Sequence, residues 1–290
     1  MHDRLSNDVS IMAKKSRAKD AALRVLIYFC SLLTMAILFI IIFYVMVNGI
    51  PQLNWEFLTT APSALNHTVG VLPSILNTLY MIGITLLVAT PIGIGAAVYL
   101  NEYAKKGRLV RLIEFTTETL AGIPSIIYGL FGALMFSVML GFGYSILAGA
   151  FTLALMVLPI IVRTTQESLK TVQSSYREAA LGVGSTKFYM IRTVILPSAM
   201  PGIITGVILA IGRIVGESAA LIFTSGISTT MPKNFFGHVM ESGATLTIQL
   251  FTSAAKGEND VAFGIAAVLV LIVLAINLLT NKMNGRLKKY

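Results

Sequence analysis

The chain has 290 residues, of which 56% are hydrophobic and 12% charged, with a formal net charge of +9. A soluble globular domain carries about 25% charged residues, so this composition excludes an ordinary soluble enzyme and points to a chain that meets hydrocarbon. The single cysteine, Cys30, excludes an intrachain disulfide and a cysteine-rich metal site.

Six apolar runs follow one another near residues 25–47, 75–100, 119–140, 144–163, 198–224 and 261–281. Hydrocarbon demands about 20 apolar residues per crossing, and an open sheet cannot satisfy its backbone there. The runs therefore predict an all-α polytopic membrane protein of six transmembrane helices. It has one transmembrane domain over 25–281, an N-terminal segment over 1–24 and a tail over 282–290. The first run is longer than a signal-peptide core and no small-residue cleavage site follows it, so it reads as a retained helix. Cys30 sits within it as a lipid- or helix-facing apolar residue.

Orientation comes from the basic residues. Nineteen of the 22 fall on one side: before the first run, between the second and third, between the fourth and fifth, and after the sixth. Lys233 and Lys256 alone fall opposite, and Arg213 lies inside a run. The positive-inside rule then predicts cytoplasmic N- and C-termini. The charge reports orientation and contact with anionic membrane lipid rather than binding to nucleic acid.

The first outer loop, 48–74, holds Trp55 near Phe57, a pair suited to the membrane interface. Asn77 in the second run is either an interhelical hydrogen bonder or a pathway residue. Thr90-Pro91 marks a kink near the cytoplasmic end. Glu114 and Glu118 suit the N-terminal turn of the third helix. Beyond them, Gly122-Ile123-Pro124-Ser125 belongs to a stretch suited to close packing or kinking, with Ser125 a candidate pore-lining residue. Gly141-Phe142-Gly143 is short enough to force an antiparallel hairpin between the third and fourth helices.

Residues 166–197 form the longest internal hydrophilic stretch. Leu169, Val172, Tyr176 and Ala180 recur at helical spacing, with Glu167, Lys170, Gln173 and Arg177 on other faces, which predicts an amphipathic helix. Gly184 suits a helix end with a sharp turn, and Pro197 suits the opening of the fifth spanning helix.

Within that helix Arg213 and Glu217 stand four apart, a spacing that makes them neighbours on one face. Each costs about 2.5–3.5 kcal/mol or more if it faces lipid at the bilayer centre, so both are expected to face the interior or a wet cavity. Two readings stand side by side. In one, the Arg213 guanidinium offers a planar fork to an oxyanion in transit and Glu217 restrains it. In the other, the two neutralise each other and hold helices together.

Glu178-Ala179-Ala180, then Gly184 six positions after the glutamate, then Val194, Leu196 and Pro197 resemble the loop signature of ABC importer permeases, with Val194 where the pattern usually has Ile. Two further blocks, 120–132 and 196–219, are similar to the phosphate-transport branch of that family, and the resemblance covers the chain from about residue 70 onward. It implies the type I, MetI-like permease architecture, with a cytoplasmic coupling helix between helices four and five that docks on an ATPase. It also implies phosphate as cargo and a bacterial inner-membrane location. The implied partners are a second permease, a dimeric ATPase and an extracytoplasmic phosphate-binding protein. On this reading Glu178, Ala179, Ala180, Gly184, Leu196 and Pro197 couple to the ATPase, and Arg213, Glu217, Asn77 and Ser125 line the pathway.

The chain has no phosphate-binding loop of the G-x-x-x-x-G-K-[ST] type, so ATP and Mg²⁺ are expected on the partner and no cofactor on this chain. A stand-alone secondary anion transporter or channel is the alternative. It would need coupling-ion residues, and the runs offer only Arg213 and Glu217. A membrane-embedded enzyme is excluded by the lack of a His pair, a Ser/Lys dyad or paired intramembrane aspartates. His2, His67 and His238 lie outside the runs.

Overall fold

The computed structural model describes residues 2–63, 68–105, 107–232, 234 and 237–287, with side chains between residues 20 and 280 and at Lys282. Lys233 and His67, named above, and Lys106, Lys288 and Lys289 among the counted basic residues lie outside the described residues.

Helix α1 (His2–Gly49) runs through the first apolar stretch without a break and extends it at both ends. A short α2 (Trp55–Thr59) follows, capped by Asn54, whose side chain accepts from the Phe57 amide. Trp55 stays exposed while Phe57 is buried among Val71, Leu246, Ile265 and Val268. Helix α3 (Leu72–Val98) continues through a π-helical turn, Tyr99–Tyr103. Pro91 lies inside it.

The third crossing departs from the expected single span over 119–140. It is two helices, α4 (Arg108–Ala121) and α5 (Ser125–Gly132, extended by a π-helical Ala133–Met139), bent by 102°. Gly122-Ile123-Pro124 causes the break. Pro124 sits extended at ψ 138° and the residue before a proline is pushed out of the α region. The Tyr128 hydroxyl donates to the Leu120 carbonyl across the bend at 2.8 Å, which fixes the angle. Helix α4 carries Arg108, Arg111, Glu114 and Glu118 along one face and buries no residue, as an interfacial helix does. Glu114 and Glu118 therefore do not open a spanning helix.

Helix α6 (Ile146–Thr171) begins with a Ser145 cap on the Ala148 amide and runs eight residues beyond the predicted end at 163. Then come α7 (Ser174–Gly182), α8 (Lys187–Met190), a π-helical Ile191–Ile195, and α9 (Leu196–Val215). From Lys187 to Val215 this is one continuous rod of 29 residues. Pro197 stands in the first turn of α9, as expected, although the π-helical turn joins α9 to α8 without a break. The missing N–H of Pro197 is absorbed by the π-turn just upstream, a standard accommodation.

Helix α9 stops at Val215, short of the predicted 224, and a four-residue α10 (Ala219–Ile222) follows a break at Gly216-Glu217-Ser218. The region 225–260 is more structured than its polar stretch implies. It holds α11 (Leu246–Ala255), which at about 1.5 Å per residue is too short to cross hydrocarbon. Helix α12 (Asn259–Leu287) closes the chain and runs past the expected end of the last span.

Among the described residues five helices are long and apolar enough to cross a membrane, and the bent pair α4–α5 brings the number to six if it is one broken span. The core forms around α6, where Leu153, Val157 and Ile161 pack with Met81 of α3, Ala210 and Ile214 of α9 and Leu221 of α10. Lipid tails are as apolar as leucine, so close backbone approach rather than water exclusion drives such packing. Gly206 shows it: a Cβ there would run into Thr164 Oγ1. Helix α1 stands outside this core and is exposed along its apolar length. It joins the bundle at one end, where Tyr44 meets Phe263 edge-on at 5.6 Å.

Candidate functional site

The hydrophilic loop folds differently from a single amphipathic helix. Leu169 and Val172 are buried, but at the end of α6, in a cluster with Met190, Ile191, Ile195, Ala199 and Ile203. The chain turns extended at Val172, with ψ 124°. Only then does α7 begin, as a separate nine-residue helix with no fully buried residue. Ala180 packs partly against the cluster, whereas Tyr176, Glu178, Ala179, Leu181 and Val183 are exposed. Gly184 turns the chain at φ +82°, a left-handed value that glycine adopts without steric cost. Thr186 then caps α8 by accepting from the Tyr189 amide. Leu196 is half-buried and Pro197 exposed on the following rod. The result is an elbow projecting from the bundle with tyrosine, leucine and valine side chains uncovered.

Arg177 does not lie on the outer face of this elbow, as the helical pattern implied. It points inward. Its Nη2 donates to Glu102 Oε1 at 2.8 Å and to the Leu169 carbonyl at 2.9 Å, and Nη1 donates to the Val172 carbonyl at 2.8 Å. Nothing in the local pattern marks Glu102 as its partner, 75 residues away.

At the other candidate site, Arg213 and Glu217 do not share a helical face. The helix ends between them, and they form no ion pair. Glu217 is 8% exposed and folds toward α10, where Oε1 accepts from the Ala220 amide at 3.0 Å. Its carbonyl accepts from Thr247 Oγ1 at 2.8 Å, which ties the break to α11. Arg213 is exposed in the last turn of α9, two turns beyond the Gly206–Thr164 contact and so within the span. Among the described residues it makes no salt bridge. A Cβ at Gly129 would lie 2.7 Å from Ala220 Cα, so α5 packs on α10, just beyond the break that ends α9. Ser125 is half-buried at the start of α5.

Asn77 is fully buried inside the bundle, away from this surface. Its Nδ2 donates to the Ala244 carbonyl at 3.0 Å and its Oδ1 meets His238 Nε2 at 2.7 Å. Both amide atoms are thus engaged in joining α3 to the segment before α11. The sequence pattern gave no sign of His238 as a buried partner.

Between α4 and α6 lies an open groove of about 740 Å³ lined by Arg111, Glu114, Glu118, Arg163, Glu167 and Lys170. Arg163 stands 3.7 Å from Glu118 and 3.2 Å from Glu167, and all three are largely exposed. These pairs are screened by solvent and contribute little to stability.

Five long apolar helices, a bent sixth crossing and a projecting helical elbow between the fourth and fifth crossings define a multi-pass transport subunit of the ABC-importer class. The chain belongs to the family of binding-protein-dependent transport system inner membrane components, whose description matches residues 89–289. It is 36% identical to the probable ABC transporter permease protein YqgI of Bacillus subtilis, over 86% of this chain and 89% of that one. It is 35% identical to the phosphate transport system permease protein PstA of Haemophilus influenzae, over 83% of this chain and 85% of that one. PstA 1 of Mycobacterium tuberculosis is 36% identical over 72% of this chain and 68% of its own length.

Among solved structures the fold is similar to the MetNI methionine ABC transporter in an inward-facing conformation. The TM-score is 0.60 at 20% identity, over 75% of this chain and 94% of that one. A bacterial alginate ABC transporter in complex with its pentasaccharide-bound periplasmic protein matches with a TM-score of 0.65 at 18% identity, over 92% and 96%. The architecture is therefore the MetI-type permease fold, and the chain is a membrane permease subunit.

Proposed function

We propose that this permease carries inorganic phosphate inward, as one half of a pathway whose other half is a second, PstC-like permease. A PstB-like ATPase dimer drives it, binding the ATP and Mg²⁺ while this chain holds no cofactor. A PstS-like binding protein delivers the ion. The observation that carries an oxyanion cargo is Arg213: a guanidinium within a span, exposed on the outward face of the subunit and without an ion pair among the described residues. An unpaired arginine facing lipid costs several kcal/mol or more, so this face belongs against a partner or a watery path. A guanidinium there offers forked N–H donors of the kind that bind phosphate oxygens. The similarity to PstA proteins supports phosphate as that oxyanion.

On this reading Arg213 and Ser125 face the path. Glu217 holds α10 and thereby the backbone that carries Arg213 to it, and Asn77 keeps the bundle closed behind. The exposed side of α7, with Glu178 and Ala179, and the turn at Gly184 engage the ATPase, while Ala180 seats α7 against the apolar cluster and Leu196 and Pro197 continue the push into α9. The distribution of the basic residues supports a cytoplasmic position for α7 and both termini.

The test is purification of the native complex with its partners, followed by ATP hydrolysis in proteoliposomes with phosphate or sulfate bound to the delivery protein. Phosphate stimulates hydrolysis and accumulates inside. Equal stimulation by sulfate, or accumulation without ATP, overturns the reading.

A further inference from the structure

Helix α7 is poorly anchored by packing. It buries no residue fully, and Ala180 is its one side chain against the neighbouring apolar cluster. A helix that must pass a displacement to the spans needs a stiffer attachment than one alanine methyl. The only other inward side chain of comparable engagement is Arg177, one turn earlier on the same face.

We infer that Arg177 and Glu102 form the clamp through which movement of α7 reaches α3 and α6 together. This rests on the reading that α7 docks on the ATPase. The Glu102 side chain is 6% exposed and that of Arg177 is 23% exposed, so the pair is shielded from solvent. The Arg177 Nε lies 3.3 Å from Glu102 Oε1 and 3.4 Å from Oε2, beside the 2.8 Å bond from Nη2. Glu102 is itself steadied by Asn101, whose Nδ2 donates to Oε1 at 2.8 Å. It stands in the π-helical turn that ends α3.

Two further guanidinium hydrogens, one on Nη2 and one on Nη1, go to the Leu169 and Val172 carbonyls. These belong to the last turn and the cap of α6, whose carbonyls lack intrahelical partners. One planar group thus binds a carboxylate on α3 and two carbonyls on α6 while rooted in α7. A guanidinium fixes direction as well as distance, which a lysine ammonium does not. Glu178, the next residue, is exposed on the opposite side. The two faces of α7 therefore divide the work: one toward the ATPase, one toward the spans.

The experiment uses the assembled complex in proteoliposomes. Phosphate moved per ATP hydrolysed is compared for the native chain, Arg177→Lys and Glu102→Gln. Docking is read separately by a photoreactive probe attached through Ala179→Cys in a Cys30→Ser background. Both clamp variants are expected to keep probe capture of the ATPase and to keep hydrolysing ATP, while phosphate moved per ATP falls about tenfold, within the usual range of a coupling between sites.

An unchanged ratio in both variants, with capture intact, overturns the clamp and leaves docking standing. Absence of capture with the native clamp overturns the docking reading itself. Loss of capture in both variants, with the subunit still in the membrane, also overturns the inference, because Arg177 then only shapes α7.

Discussion

Asn77 and His238 meet through a 2.7 Å hydrogen bond between Oδ1 and Nε2, across 161 residues of chain, at the end of the bundle opposite α7. The Asn77 Nδ2 is committed to the Ala244 carbonyl, so Oδ1 is the acceptor and Nε2 the donor. The ring is further held by Tyr80, edge-on at 5.7 Å, and by Glu241 Oε2 at 2.8 Å from Nδ1. This arrangement fastens the segment before α11 to α3.

Replacing Asn77 with Ala leaves a buried N–H and a buried carbonyl without partners. Each orphaned group costs about 1–3 kcal/mol. Asn77→Ala should therefore lower the melting temperature of the detergent-purified subunit, and His238→Ala should do the same. The double variant should cost less than the sum of the two, since they share one bond. Full additivity would show that the bond does not form.

Arg213 gives the opposite pattern. It is exposed and makes no salt bridge among the described residues, so Arg213→Ala should change the stability of the subunit by no more than about 0.5 kcal/mol. Phosphate uptake should be abolished, with the complex assembled. Retained uptake would leave Arg213 no part in handling the cargo.

Gly184 separates shape from bulk. Its φ of +82° has open space around it, with nothing within 4 Å of an added Cβ. The cost of substitution is therefore conformational, about 1–2 kcal/mol for most residues, and asparagine tolerates this region best. Gly184→Asn should keep more uptake than Gly184→Val, measured at equal subunit abundance. Equal loss in both would point to steric conflict with a partner rather than to the turn.

Gly129 is a matter of contact. A Cβ there would stand 2.7 Å from Ala220 Cα and 3.0 Å from its carbonyl oxygen. Backbone cannot yield as a side chain does, so Gly129→Val should destabilise by about 1–3 kcal/mol and push α5 away from α10. Ala220→Gly should not rescue it, because the conflict is with backbone atoms. Thermal melts of the two single variants and the double variant would show this directly.

The sequence was most legible where the signal is local. Apolar length located five of the helices long enough to cross, and the Glu178–Gly184 spacing located the elbow. It was least legible where a helix breaks within an apolar run. Hydropathy does not register the bend at Gly122-Ile123-Pro124, because the residues on both sides are apolar. The same blindness joined Arg213 to Glu217 on one face, although Gly216 ends the helix between them. In the loop, Leu169 and Val172 fitted a continuous amphipathic pattern, yet they finish α6 and leave α7 to start afresh.

By itself, then, the sequence determined a six-crossing helical subunit, the position of its elbow and an arginine within the fifth span. Those features depend on composition and on spacings within a few turns of helix. Tertiary structure alone decided which charges are paired and which are free. Arg177 finds Glu102 across 75 residues, Asn77 finds His238 across 161, and Arg213 finds no carboxylate among the described residues. Such partners are chosen by how helices cross in space, and helix crossings are set by glycine and alanine contacts between segments that the linear order keeps far apart.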